Sequence, residues 1–141
     1  MLQLLFLATL NLQLATFFTG VIMPKPTNIN LHQKSRILEI EFDDGKTFKY
    51  TCEFLRVHSP SAEVQGHGPG EEKLQVGKED IAITAVEPVG LYAIKLVFDD
   101  SHDSGLFSWT YLYELGENYD AKWKNYLQRL KAAGVKHKAL Q

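Results

Sequence analysis

The chain carries one cysteine, Cys52, in 141 residues. One thiol makes no internal disulfide and no Cys-rich zinc site, so a reducing compartment is its natural setting. Basic charge is not in excess either: 15 Lys and Arg stand against 17 Asp and Glu, for a formal net charge of −2. Broad binding to nucleic acid or to an anionic membrane needs a surplus of Lys and Arg, and is excluded as a primary role. Catalytic signatures are missing too. No Gly-x-Ser-x-Gly elbow presents a serine, no His-x-x-x-His offers a helical ligand pair, and no His-x-Asp pair occurs. The run "GHGPGEEK" lacks the Gly-Lys-Ser/Thr ending of a phosphate loop and leads straight into two glutamates. Internal repeats and low-complexity linkers are absent.

The first 22 residues, "MLQLLFLATLNLQLATFFTGVI", have no charge at all. A secretory signal should open on a basic region, and none is present. A membrane span needs about 20 predominantly apolar residues, but Gln3, Asn11 and Gln13 interrupt this one. The segment reads as an extension ahead of a true start at Met23. A signal or anchor, or a packed helix, is the alternative. It is left outside the expected fold.

What remains has the length and composition of one domain. Residues 23–34 are mostly polar, with two prolines, and read as an arm. "RILEIEF" alternates Leu38, Ile40 and Phe42 with Glu39 and Glu41, the pattern of a half-buried strand. The turn signal "DDG" joins it to "KTFKYTCEFL", a second strand with Phe48, Tyr50 and Cys52 on one face. Ser59-Pro60-Ser61-Ala62-Glu63 predicts a short helix, with Ser59 as N-cap, Pro60 as first residue and Gly66 as left-handed cap. "GHGPGEEK" then reads as a mobile loop. "DIAITAVEPVG" and "LYAIKLVFDD" predict two more strands, turning at Pro88-Val89-Gly90. In "LFSWTYLYELG" the residues Trp109, Leu112 and Leu115 fall at helical spacing, ended by Gly116. "DAKWKNYLQRLKAAG" sets Trp123, Leu127 and Leu130 on one stripe, with Gly134 as C-cap. Residues 135–141 read as a frayed tail. Together these predict one α+β domain over 35–134: a small antiparallel sheet covered on one side by helices.

Five histidines occur, at 32, 58, 67, 102 and 137. His58, His67 and His102 lie in predicted loops, and three imidazoles suffice for a zinc or iron site. Nothing in their spacing demands one, and exposed loop histidines are the simpler reading. Ser59, His102 and Asp99 could be drawn as a hydrolytic triple, but such triples arise by chance in chains of this length. Asp99, Asp100 and Asp103 could hold a hard cation, although acidic solvated turns are far commoner. The aromatic run "FSWTYLY" is more simply core than a stacking platform.

Two segments together, "LRVHSPSAEVQGHGPG" and "ITAVEPVGLYAIKLVFDDSHDSGLFSWTYLYELG", resemble the gamma-butyrobetaine hydroxylase-like N-terminal domain. The similarity runs from about residue 30 to residue 131. In that family the domain stands alone, or is joined to carnitine-synthesis oxygenases or to P-loop proteins of iron–sulfur cluster assembly. The hydroxylases carry Cys-x-Cys-x-x-Cys and a later histidine, a closed structural zinc set. Ser59, Ser61 and Val64 occupy the three cysteine places in this chain, and only His102 matches. The resemblance therefore implies a degenerate zinc site. His58 and His67 are the candidates to replace the lost ligands. The oxygenase iron belongs to a separate, larger domain that has no counterpart in this sequence.

The expectation is thus a non-catalytic cytoplasmic module, with no catalytic or cofactor-binding residue, that acts through a protein partner. An oxygenase or an iron–sulfur assembly factor fits the family's fusions. No nucleic acid is expected, and no membrane unless residues 1–22 are a real anchor. The candidate interaction surface is Arg56, His58, His67, Asp100, His102 and Asp103. A zinc- or iron-binding protein using His102, His58 and His67 is the alternative.

Overall fold

The computed structural model describes residues 23–141; the apolar segment 1–22 lies outside them. The α+β class read from the sequence is the one observed. Six strands divide between two three-stranded antiparallel sheets. The first sheet has the order β1 (Pro26–His32), β2 (Ile37–Phe42), β3 (Thr47–Thr51), and the second has β4 (Ile83–Val89), β5 (Ala93–Phe98), β6 (Leu106–Ser108). Helices α1 (Cys52–Val57) and α2 (Ala62–Gln65) join the sheets, and α3 (Trp109–Glu117) and α4 (Tyr119–Ala132) follow the second. Among the described residues no helix is long and apolar enough to cross a membrane.

The alternation of β2 sends Leu38, Ile40 and Phe42 inward, where they meet Tyr50 of β3, Ile94, Leu96 and Phe98 of β5, and Leu112 and Leu115 of α3. Each such buried side chain contributes about 2 kcal/mol. The Tyr50 hydroxyl would be costly in this core without a partner, and it donates to the Leu112 carbonyl at 2.6 Å. A second, smaller cluster of Val57, Tyr126 and Leu130 holds α4 in place.

Several segments depart from the sequence reading. The arm contains β1, which pairs with β2 along its length through contacts such as Ile29 with Ile40 and Leu31 with Leu38. The second predicted strand stops at Thr51. The Thr51 hydroxyl accepts from the Phe54 N–H and starts a helix, so Cys52 belongs to α1. The short helix predicted after Ser59 is α2; it is capped by Ser61 instead of Ser59, and Gly66 ends it at φ 72°. Pro88 lies inside β4, opposite Ile94, and the turn comes at residues 90–92. Leu106–Ser108 forms an edge strand before α3, and Gly116 lies within that helix. A Cβ at Gly116 would run into the ring of Phe48, so glycine is required there for close packing. The tail is docked as well. Residues Lys138–Leu140 form a 3₁₀ turn, and buried His137 bonds Glu53 through Nε2 at 2.7 Å.

Candidate functional site

Chemistry-bearing side chains gather in two places that meet at the end of α1. The first lies inside the fold. Ser59 has no exposed surface, and its Oγ lies 2.9 Å from His102 Nε2. The other ring nitrogen, Nδ1, lies 2.9 Å from a Glu63 carboxylate oxygen. A carboxylate only accepts, so Nδ1 carries a proton; in the neutral ring Nε2 then accepts from the Ser59 hydroxyl. Ser59 Oγ also accepts the Ser61 N–H at 3.3 Å. Ser61 Oγ meets Ser104 Oγ at 2.7 Å and accepts the Glu63 N–H, capping α2. Two loops more than forty residues apart in sequence are thereby joined. His102 is oriented by its own turn, where its N–H donates to Asp100 Oδ1 and Ser101 sits in the left-handed region at φ 72°.

The order serine–histidine–carboxylate matches that of a hydrolytic triad. Its setting does not suit acyl transfer. Ser59 is sealed, and the bare Gly105 backbone lies so close that a Cβ there would collide with Ser59 Oγ. Asp99, the acid chosen from the sequence, accepts the Ala82 N–H instead. The network is a hydrogen-bonded staple.

Around it the sequence candidates disperse. Of the places that resemble zinc ligands, Ser59 bonds His102, Ser61 bonds Ser104, and Val64 is buried. His67 is exposed, and only its backbone N–H is engaged, by Glu71. His58 faces away from His102, into the second place described below. The structure thus does not bring His58, His67 and His102 together, and among the described residues no group of three His, Cys, Asp or Glu is placed to hold a metal. Of the expected interaction surface, Arg56 and His102 lie beneath the surface. Arg56 Nε donates to Asp100 at 2.9 Å, and Lys78 reaches the same carboxylate oxygen at 2.6 Å. Burial would raise the Asp100 carboxyl, but the bonds from Lys78, the His102 N–H and Arg56, with the Arg56 charge, hold it at about 2. The three aspartates therefore do not converge. Asp99 and Asp100 are tied as above, and Asp103 is exposed.

The second place is a cleft of about 800 Å³ between the end of α1, the 72–75 segment and the paired helices α3 and α4. His58 forms part of its wall. Its Nδ1 lies 2.8 Å from the Phe54 carbonyl, which can only accept, so Nδ1 carries the proton and Nε2 presents a lone pair. Among the described residues Nε2 has no hydrogen-bond partner, and it is not sealed from solvent. Burial lowers the His58 pKa; the bond to Phe54 opposes this, and the charges of Lys122 and Arg129 reinforce it. The neutral imidazole is the form present near pH 7. Two tyrosines stiffen the wall. Tyr111 donates to the His58 carbonyl at 2.6 Å, and Tyr126 donates to the Gln75 carbonyl at 2.8 Å. Burial pushes both hydroxyls up to about 12.

The opposite wall is a stripe of α4. Asn118, Lys122, Asn125 and Arg129 recur at steps of three and four, which places them on one helix face. In the sequence only the apolar stripe of this helix carries an expectation, and these polar residues are given no role. The 118–122–125–129 spacing was the available signal. The concavity it faces is made chiefly by the end of α1 and the 72–75 segment, more than forty residues away in sequence, and no local pattern reports that.

The sequence pattern of the family described as gamma-butyrobetaine hydroxylase-like, N-terminal, matches residues 29–113. Two solution NMR structures are similar to the chain. One is 53% identical over 82% of this chain and 86% of its own, with a TM-score of 0.71. The other is 50% identical over 82% and 90%, with a TM-score of 0.72. The crystal structure of a protein of unknown function of the DUF971 family, from Acidithiobacillus ferrooxidans ATCC 23270, is 37% identical over 64% of this chain and 91% of its own, with a TM-score of 0.55. No curated protein matches.

Proposed function

The chain belongs to the gamma-butyrobetaine hydroxylase-like, N-terminal family, and from that membership we propose that it is a non-catalytic accessory module acting through a protein partner. What supports the non-catalytic half is the staple. The serine–histidine–acid constellation found among the described residues is closed to substrate and joins two loops. In the hydroxylases that this chain resembles, zinc does that joining. In this reading the zinc site is degenerate, with hydrogen bonds in its place. Cys52 is buried and burial raises its thiol pKa, which fits an unreactive cysteine in the cytoplasm.

What supports the partner half is the tip of the β4–β5 hairpin. Leu91 is 82% exposed and Tyr92 78%, with Val89 and Leu106 also exposed nearby. Large side chains held this far into water cost solubility without adding to the core, and aromatic residues on a rigid turn are typical interface anchors. The partner would offer an apolar pocket for this tip; an oxygenase or an iron–sulfur assembly factor agrees with the family's fusions. This moves the expected surface from the Arg56–His102 region to residues 89–92 and 106.

A photo-crosslinking residue at Tyr92, introduced into the full chain in its native cell, tests the reading. One dominant protein is expected, and with that protein purified, Leu91→Asp should weaken binding by about tenfold or more. Equal labelling with and without Leu91→Asp, or equal affinity of the purified pair, would sink it.

A further inference from the structure

We propose that the His58 cleft is a binding site for a small organic dicarboxylate that carries a hydroxyl group. This goes beyond the partner reading and uses a different surface, so either can fail alone.

The cleft is the right size. Small-molecule sites commonly enclose about 300–1,000 Å³, and this one is about 800 Å³. Its wall is polar and fixed: both tyrosine hydroxyls are already engaged with backbone carbonyls, so the rings are held in place before any ligand arrives. Its charge selects the ligand. Lys73, Lys122 and Arg129 line it against Glu72 and Glu114, in a chain whose net charge is negative. Among the described residues neither Lys122 nor Arg129 makes an ion pair with a carboxylate; Arg129 donates only to the Glu72 carbonyl, at 3.4 Å. The two cations are seven residues apart on the α4 face, about two helical turns and about 10 Å of rise, a span their long side chains can close on two carboxylates of one molecule. Asn125 on the same stripe supplies a further amide donor, and Asn118 keeps its second N–H while the first donates to the Glu114 carbonyl at 2.9 Å.

His58 adds the hydroxyl. Its proton is committed to Phe54, so Nε2 can only accept. A ligand made of carboxylates alone would leave that lone pair without a partner as it displaced water from the cleft. A hydroxyl group satisfies it. Inorganic phosphate near neutral pH is short of donors and too small to span Lys122 and Arg129. The two glutamates disfavour polyanions such as nucleotides.

Malate and succinate differ by this hydroxyl alone and are the probes. Each is titrated into the full chain at physiological salt and followed by calorimetry and by backbone amide shifts. Malate should bind one-to-one and shift amides of residues 58, 111, 118–129 and 73. Succinate should bind about tenfold more weakly, as expected when a buried acceptor is left unpaired. Lys122→Ala and Arg129→Ala should each weaken malate by about tenfold, while Lys34→Ala, exposed and outside the cleft, should leave it unchanged. Absence of saturable malate binding overturns the proposal. So does equal weakening by Lys34→Ala, which would mean diffuse charge attraction. Phosphate or succinate binding as tightly as malate overturns the hydroxyl assignment.

Discussion

His58 and Ser59 are neighbours in sequence, and they face opposite environments. Ser59 turns inward and is met from both sides, by His102 and by the Ser61 N–H. His58 turns outward into the cleft, with one nitrogen bonded to its own helix and the other unengaged by any described residue. Both regions are rich in donors and acceptors. What separates them is whether those groups are used up. A polar group with every bond made inside the protein stabilises the fold and offers nothing to a ligand. One that no protein group engages, and that still reaches solvent, stays available to a ligand. The staple belongs to the first kind and the cleft to the second.

The sharpest way to break this comparison is to attack the staple. Gly105→Ala drives a methyl group into Ser59 Oγ and should cost about 3 kcal/mol. His102→Ala leaves the Ser59 hydroxyl without its acceptor and opens a cavity, for about 2 kcal/mol. Lys122→Ala in the cleft should change stability by less than about 0.5 kcal/mol. Urea midpoints measured at constant slope rank the three. If Lys122→Ala were as costly as His102→Ala, the cleft would be structural too, and the contrast would collapse.

The two regions were unequally legible in the sequence. The alternation of Leu38, Ile40 and Phe42 and the turn at Asp43-Asp44-Gly45 placed β2 and β3, because strand period and turn chemistry are local. The stripe of Trp123, Leu127 and Leu130 placed α4 for the same reason. Strand β1 escaped because Ile29 and Leu31 alternate within a polar, proline-flanked run, and its place was decided by pairing with β2. Helix α1 escaped because Cys52 continues the alternation of Phe48 and Tyr50; the Thr51 cap, Glu53 in the first turn and Arg56 in the last were the competing signals. At the staple, a resemblance picked out Ser59, Ser61 and His102 as positions that belong together. That Glu63 and Gly105 complete the set depends on contacts some forty residues apart, which no periodicity encodes. The cleft was hidden for a further reason: a polar helix face has the same sequence pattern whether it meets bulk water or a concave wall.

Acid should expose the next difference, at the rim of the staple. The folded-state pKa of Asp100 lies at about 2, below its ordinary 3.8. A depressed carboxyl contributes stability that is present above the ordinary value and lost as pH falls through the folded one. The side chain is partly solvated, so the contribution is discounted to about 1 kcal/mol. Asp100→Asn should therefore lower the urea midpoint at pH 6, and the gap from the parent chain should narrow between about pH 4 and pH 2. A gap that stayed constant over that range would mean that the Arg56 and Lys78 contacts do not depend on the carboxylate charge.

A smaller pH effect lies in the cleft and turns on the opposite kind of group. His58 is depressed below its ordinary 6.5, first by burial. A depressed histidine is protonated in the unfolded chain before the folded one, so the folded state loses stability as pH drops below 6.5, until the lowered value is reached. His58→Gln should remove that slope, an effect of less than about 1 kcal/mol, while keeping an acceptor on the cleft wall. The imidazole resonances of the parent chain should titrate below 6.5, and Lys122→Ala should move them upward, because it deletes one of the two charges that oppose protonation. If His58 titrated at its ordinary value in both proteins, the ring would be as well hydrated as an exposed histidine, and neither burial nor the α4 cations would set the cleft apart from bulk solvent.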